Sequence, residues 1–514
     1  MSGSGLKVRC LASTRVVQTT WKKQESRDED EKGEEDVSDE AHQDDDTIED
    51  LQAEERDDES RETSAYEEIE AQGTPTAQSP SSPSSASDSN SSTTSSSSDA
   101  STSSFTHNPD IHHTSCIQEA QLSPDGTCVF TSSYDRSFTV YPISSTIFSS
   151  PRPQPLAPYA KFTSPDPIWS FASNPLFDIN DASTTHVLIS RRDRYITLHN
   201  ALWAINSPNP SSVPTGMVDI QTPLASYKLI SPLTEALTAP FSLSYSHSGT
   251  HFFAGLKNSI ALFDVEYTDE PTTNIPTIPS ARNVRKGGGV GFKGVISSLA
   301  LSPSTTFHRE GILAAGSRTR YVGLYDAASS DKISTFALPV RQIRNANEEG
   351  DDLMGGGASR LKWSSCGKYL YIAERLSDVL HIYDVRNFSF ALAHCAGRKA
   401  KTNQKLGFDV WSAASSVYSP DVVSHEVWAG GTDGCVRVWR DAYLKEGRVD
   451  ADEVVQVGEG EMPVVGTMVH ASGGLAVAAC GQIEVGENGE GRSRGGGSMP
   501  GFRERGSLDI LGLS

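Results

Sequence analysis

Six hairpin-like segments at near-regular spacing, a recurring Ser–x–x–Gly turn upstream of them, and a long polar stretch near the N-terminus predict an all-β fold. The expected architecture is a propeller of repeated blades carrying a disordered N-terminal arm. The segments are Thr131–Tyr141, Ile189–His199, Ala254–Phe263, Ala315–Tyr325, Ala373–Tyr383 and Ala429–Trp439. Most open on small residues, pass through a polar turn, and finish as an alternating apolar run that ends on a ring. Alternation over so short a run is strand periodicity, and the polar turn makes each segment a hairpin. The closing rings stand 58, 64, 62, 58 and 56 residues apart.

Leu122–Gly126, Tyr245–Gly249 and Trp363–Gly367 carry the Ser–x–x–Gly turn after an apolar or aromatic residue, and Leu301–Pro303 begins the same way. Each unit therefore reads as strand, turn, strand, polar turn, strand, with a fourth, outer strand expected at or just after the ring. Four short strands repeated every 40–60 residues or so indicate a propeller. A solenoid would need helical or single-strand units. The long period calls for loop insertions, placed at 268–294, 341–357 and 484–506, with others at 144–167 and 206–222.

A seventh unit is fainter. Val464–Val469 and Leu475–Cys480 read as two strands, and Ser507–Leu513 as a returning outer strand. The ring must close or leave an edge open to aggregation. The C-terminal strand is the preferred closure, and the strand-like segment Leu6–Trp21 is the alternative. The fold class is then a seven-bladed WD-repeat β-propeller, with a short segment at 1–23, an arm at 24–106 and the propeller at 107–514.

The arm has no means of building a core. Residues 25–70 hold 24 acidic residues against 4 basic ones, and 16 of the 26 residues from Ser79 to Ser104 are serine. Low hydrophobicity and high charge leave the ordering entropy unopposed. The arm carries nearly all of the chain's net charge of −22, so the propeller is close to neutral. Ser85 and Ser96, each three residues before an Asp, are candidate phosphorylation sites. The seven cysteines are scattered without a C-x-x-C spacing, which favours reduced thiols over disulfides or zinc. No apolar run is long enough for a membrane helix, and Met1–Cys10 lacks the apolar stretch of a secretory signal.

Catalytic patterns are weak. Gly289–Gly294 is formally G-x-G-x-x-G, but a strand-like run follows it where a dinucleotide site needs a helix. His107, His112 and His113 sit in a linker without further ligands. Asp135, Asp193 and Asp433 recur in the polar turns and are expected to tie those turns together. No cofactor, metal or enzymatic activity is expected.

Basic residues carry more information. The turns of units one to five hold Arg136, then Arg191, Arg192 and Arg194, then Lys257, then Arg318 and Arg320, then Arg375. Equivalent turns lie on one face of a propeller, which predicts an arc of positive charge suited to phosphates. Arg398, Lys399, Lys401 and Lys405 extend it from a loop before unit six. The acidic arm is a rival occupant of this arc. Arg–Gly dipeptides within Gly491–Gly506 resemble segments that contact RNA without sequence preference.

Ala239–Leu256, Ile168–Phe171 with Ile189–Asn200, and Gly294–Pro303 with Tyr321–Tyr325 resemble repeats of the telomerase Cajal body protein family. The most specific match is Thr402–Asp409 (TNQKLGFD), where the family carries a similar T-N-Q run ending in F-D. The resemblance covers roughly 116–481. It implies a seven-bladed propeller that binds small nuclear or small Cajal body RNAs, telomerase RNA among them, while fungal relatives are tied to pre-mRNA splicing and spliceosomal particles. The long insertions and the Ser-rich arm depart from the animal pattern.

The expected function is a non-catalytic nuclear adaptor, monomeric and without a membrane, that binds a single-stranded loop of small nuclear RNA and its particle proteins. Arg191, Arg192, Arg194, Arg318 and Arg320 are expected on phosphates, with Lys399, Lys401 and Lys405 adding charge. Thr402, Asn403 and Gln404 are expected on base edges, or fixing the loop that reads them. The alternative is a protein-interaction scaffold with no RNA contact.

Overall fold

The computed structural model describes residues 6–15, 114–203, 216–231, 235–280, 282, 291–342, 351–413, 424–457, 462–485 and 502–514. The arm at 24–106, Ser85, Ser96, His107, His112 and His113 lie outside them, as does most of the Arg–Gly tail. Seven blades form a β-propeller. Blade 1 is Ile117–Leu122, Cys128–Ser133, Ser137–Pro142 and Ala160–Thr163. Blade 2 is Ile168–Ser173, His186–Arg191, Ile196–Asn200 and Ala225–Tyr227; blade 3 is Ser242–Tyr245, His251–Gly255, Ser259–Asp264 and Thr273–Pro276. Blade 4 is Ile296–Leu301, Ile312–Ser317, Tyr321–Asp326 and Lys332–Ala337; blade 5 is Ala358–Trp363, Tyr369–Glu374, Leu380–Asp384 and Ala393–Cys395. Blade 6 is Phe408–Ser412, His425–Gly430, Cys435–Arg440 and Glu453–Gln456.

The six hairpins of the sequence are the second and third strands of blades 1–6. The Ser–x–x–Gly turns join first to second strands. In blade 1 the Gly126 N–H donates to the Ser123 carbonyl at 2.8 Å, and Ser123 Oγ accepts the Cys128 N–H at 2.9 Å. Ser364 repeats both bonds in blade 5, with Gly367 and Tyr369 as donors. Gly126 has φ +74° and Gly367 φ +68°, a left-handed turn that glycine enters without a Cβ clash.

The small residues that open each hairpin answer to blade packing. A Cβ on Gly430 would lie 2.3 Å from the Val464 carbonyl of the next blade, and one on Gly481 would lie 2.3 Å from the Ile117 carbonyl. Ser190 fills the same place with a hydroxyl that donates to the Pro240 carbonyl at 2.7 Å. Between blades the core is a ring of apolar layers. One such layer joins Phe138 of blade 1 to Phe171 and Ile189 of blade 2.

Two expectations are corrected. The outer strand does not follow the ring directly: the ring ends the third strand, and the fourth lies further along. It falls inside the expected insertions at 144–167 and 268–294, as Ala160–Thr163 and Thr273–Pro276. The insertion at 206–222 holds Val218–Asp219, which adds to the blade 1 edge in parallel. The stretch 484–506 is partly strand as well, since Leu475–Val485 and Phe502–Leu513 pair out to Val485 opposite Phe502.

Closure is the second correction. Blade 7 is Val464–Val469, Leu475–Val485, Phe502–Leu513 and Val8–Ser13, so both chain ends supply it. The C-terminal strand is third, and the N-terminal strand is the outer one. Leu11 and Ala12 are buried in the layer between blades 7 and 1, Ser13 Oγ donates to Asp509 at 2.5 Å, and the Arg15 guanidinium pairs with the same carboxylate. No helix among the described residues is long and apolar enough to cross a membrane.

Candidate functional site at the channel mouth

Antiparallel order puts each turn between second and third strands on the same face as the link to the next blade. This turn face therefore carries the basic turns and the T-N-Q loop, which links blades 5 and 6. At its centre the channel opens into a cavity of about 660 Å³. Three of its lining residues, Gln118, Trp169 and Ser297, are the extra residues of β-bulges in the first strands of blades 1, 2 and 4. A bulge re-aims one side chain out of the alternating pattern, here at the mouth. Trp169 and Phe241 stack there with ring centroids 4.5 Å apart and planes 11° from parallel, each half-buried.

Arg318 is exposed at this cavity, and the described residues record no ion pair for it. Arg375 also lines the cavity and donates from Nη1 to the Asn403 carbonyl. Its Nε is buried without a hydrogen-bond partner among the described residues. Burial first, and the Arg318 charge second, push its pKa down to about 10.

The T-N-Q loop is held from three blades. Arg398, expected at the surface, is instead fully buried, donating to the carbonyls of Gly430, Leu406 and Gly407 at 3.2, 2.9 and 2.7 Å. Thr402 Oγ1 accepts the Gln404 N–H at 3.1 Å, and Gln404 Nε2 donates to the Gly481 carbonyl of blade 7 at 2.9 Å. Thr402 and Gln404 thus fix the loop, and Asn403 is the exposed amide at the mouth.

Below the mouth the channel charges are paired. Glu119 of blade 1 accepts Lys405 Nζ at 2.9 Å and Arg360 Nη1 of blade 5 at 2.8 Å. Lys362 pairs with Asp409. Burial opposes ionisation of Glu119, but Lys405 and Arg360 outweigh it and hold the carboxyl below its usual range.

The arc of positive charge expected from sequence is therefore corrected: carboxylates interrupt it. Arg192 pairs with Asp193 at 3.3 Å, Arg194 with Asp166 at 2.7 Å, Lys399 with Asp433 at 3.2 Å and Lys401 with Asp378 at 4.0 Å. These exposed pairs are worth little in stability but lower the local potential. Arg191 turns away from the mouth, its guanidinium 5.3 Å from the Phe162 ring centroid. Arg320 is committed to the fold, with Nε and Nη2 on the Glu374 carboxylate at 2.7 and 2.9 Å. Lys405 is committed to Glu119. Neither is open to a phosphate. Asp135 and Asp433 tie their turns as expected, accepting the Ser137 and Cys435 N–H groups at 3.2 and 3.4 Å. Gly291 and Gly294 lead into the strand Ile296–Leu301, and a Cβ on Gly291 would lie 2.2 Å from the Thr277 carbonyl; the glycines serve close packing.

Trp169, Phe241 and the part played by Arg375 escaped the sequence reading as site residues. The one signal was an aromatic at the start of two first strands.

No family model matches the chain. Curated relatives do. Guanine nucleotide-binding protein negative regulator 1 of Schizosaccharomyces pombe is 24% identical over 336 residues, 64% of this chain and 72% of that protein. Telomerase Cajal body protein 1 of Mesocricetus auratus is 25% identical over 331 residues, 64% of this chain and 51% of the relative. The Homo sapiens protein of the same name is 24% identical over 326 residues, 63% and 49%. The chain thus spans about half the length of these telomerase Cajal body proteins. Seven blades make the fold a β-propeller, and over roughly two thirds of its length the chain is similar to the telomerase Cajal body proteins.

Proposed function

We propose that this chain is a non-catalytic nuclear adaptor that binds single-stranded segments of small nuclear or small Cajal body-type RNA, telomerase RNA included, and helps localise or assemble their particles, spliceosomal ones among them. It needs no cofactor and works as a monomer. The observation that carries the reading is the channel mouth, where Arg318, Arg375 and the Asn403 amide converge without a carboxylate pairing either arginine among the described residues. Cations that face no carboxylate are the ones a phosphate can engage without breaking a native ion pair. Exposed Arg192, Arg194, Lys399 and Lys401 would extend the track outward, exchanging their weak pairs for phosphates.

The test is Arg318→Glu with Asn403→Ala in the full chain, followed by crosslinking in cells and sequencing of the bound RNA. Recovery should fall at least tenfold, and wild-type binding in vitro should weaken steeply as salt rises. Unchanged recovery, or salt-insensitive binding, would refute RNA contact at this mouth. A second reading, a protein scaffold without RNA contact, is favoured by the opposite face, where Phe307 and Phe390 are 92% and 75% exposed. It predicts that particle proteins are retained by the mouth variant and lost on Phe307→Ser with Phe390→Ser.

A further inference from the structure

We propose that the mouth cavity seats one unstacked base of a single-stranded RNA on the Trp169–Phe241 ring pair, with the flanking phosphate against Arg318 and Arg375 and the Asn403 amide at the base edge. The inference rests on the RNA reading above and deepens it from a charged face to a base site.

The rings carry the argument. A stacked pair that served only packing would be closed over by its neighbours, yet Trp169 and Phe241 line an open cavity, and both are half-buried. Trp169 reaches that position because it is the unpaired residue of a bulge between Ile168 and Ser170. In regular register it would point to the other face of the strand. A flat, nearly parallel aromatic surface beside guanidinium groups is what an unpaired base and its phosphate require. The polar groups agree. Arg318 is exposed at the cavity with no ion pair among the described residues, so a phosphate oxygen can approach it from solvent.

The dimensions set the stoichiometry. About 660 Å³ falls within the range of small-ligand sites, room for a nucleotide rather than a duplex. Glu119 and Lys405 line the same cavity from below and are bonded to each other across the channel. RNA would cross the mouth and drop a base into it. Paired bases are excluded, since their faces are already covered by stacking.

A free nucleotide and a nucleotide within a strand share this chemistry, and the experiment separates them. The probes are an eight-nucleotide single-stranded RNA carrying 2-aminopurine at one position, the same octamer with an abasic site there, its duplex, and adenosine monophosphate. Full-length protein is titrated into each. The expected result is quenched 2-aminopurine fluorescence on binding the single strand, affinity reduced about tenfold by the abasic site, and much weaker binding of the duplex and the mononucleotide. Trp169→Leu should abolish the quench and lower affinity about tenfold while leaving the slope of log K against log salt unchanged; Trp169→Phe should restore both. Arg318→Glu should instead reduce the salt slope. A wild-type octamer bound without quenching, or Trp169→Leu binding as tightly as wild type with its melting temperature preserved, would overturn the base platform and leave the RNA reading standing. Mononucleotide binding as tight as the octamer would overturn the strand assignment. Failure of the wild type to bind any RNA would remove both.

Discussion

The channel mouth and the channel middle both draw side chains from first strands, and they treat charge in opposite ways. In the middle the cations among the described residues face carboxylates: Lys405 and Arg360 meet Glu119, and Lys362 meets Asp409. At the mouth Arg318 and Arg375 have no carboxylate partner among the described residues. The middle is a structural plug, because buried charges left unpaired would be costly. The mouth can leave its cations unpaired because Arg318 remains in contact with solvent. Proximity in sequence does not decide which role a residue takes. Arg318 and Arg320 share one turn, yet one is open and the other is clamped on Glu374.

The largest effect should come from breaking the plug. Glu119→Gln leaves the partly exposed Lys405 and Arg360 facing a neutral amide and should lower unfolding free energy by about 2–3 kcal/mol, read from denaturant midpoints. The folded carboxyl of Glu119 is held low, so its contribution is complete above the unfolded value near pH 4.5 and is lost as pH falls through the lower folded value. The gap between wild type and Glu119→Gln should therefore persist at pH 5 and shrink only below about pH 4. A gap that vanished by pH 6 would mean that the plug does not act through this carboxylate.

The shared turn offers a sharper contrast. Arg320→Ala strands Glu374, which is 2% exposed and also accepts His381 Nε2 at 3.1 Å. It should cost about 2–3 kcal/mol. Arg318→Ala should change stability by no more than about 0.5 kcal/mol. If the two substitutions were equally destabilising, the division between open and committed arginines would fail.

The smallest effect concerns the opposite end of the channel, where Cys366 occupies a Ser–x–x–Gly turn. Burial would raise its pKa, but His425 Nε2 at 3.6 Å, then Ser364, lower the thiol to about 7. Burial holds Cys128 near 11 and Cys480 near 12. Iodoacetamide at pH 7.5 should therefore label Cys366 first, at a rate that halves near pH 7, and His425→Ala should slow it. Mass spectrometry that finds Cys366 no faster than Cys435 would count against the pairing.

The hairpins and the Ser–x–x–Gly turns were legible because their signals are local: alternation, a ring, and a glycine that must take a positive φ. The small residues before each turn were visible as a pattern, but their cause, the carbonyl of the next blade, was not. The outer strands were misplaced because Ala160–Thr163 and Ala393–Cys395 are short and follow loops that no local rule measures. The T-N-Q loop was found, yet the division of labour within it depends on Gly481, 77 positions away from Gln404.

The sequence by itself determined the class of fold, the number of blades and the face on which the basic turns gather, because strand period and turn chemistry are read over a few residues. Only the tertiary structure decided which cations remain open, since the partner of Lys405 stands 286 positions away and that of Arg360 stands 241. It also joined the two chain ends in blade 7 and turned Trp169 into the mouth. Pairing, closure and bulge register depend on which blade lies opposite, and that relation exists only once the ring is formed.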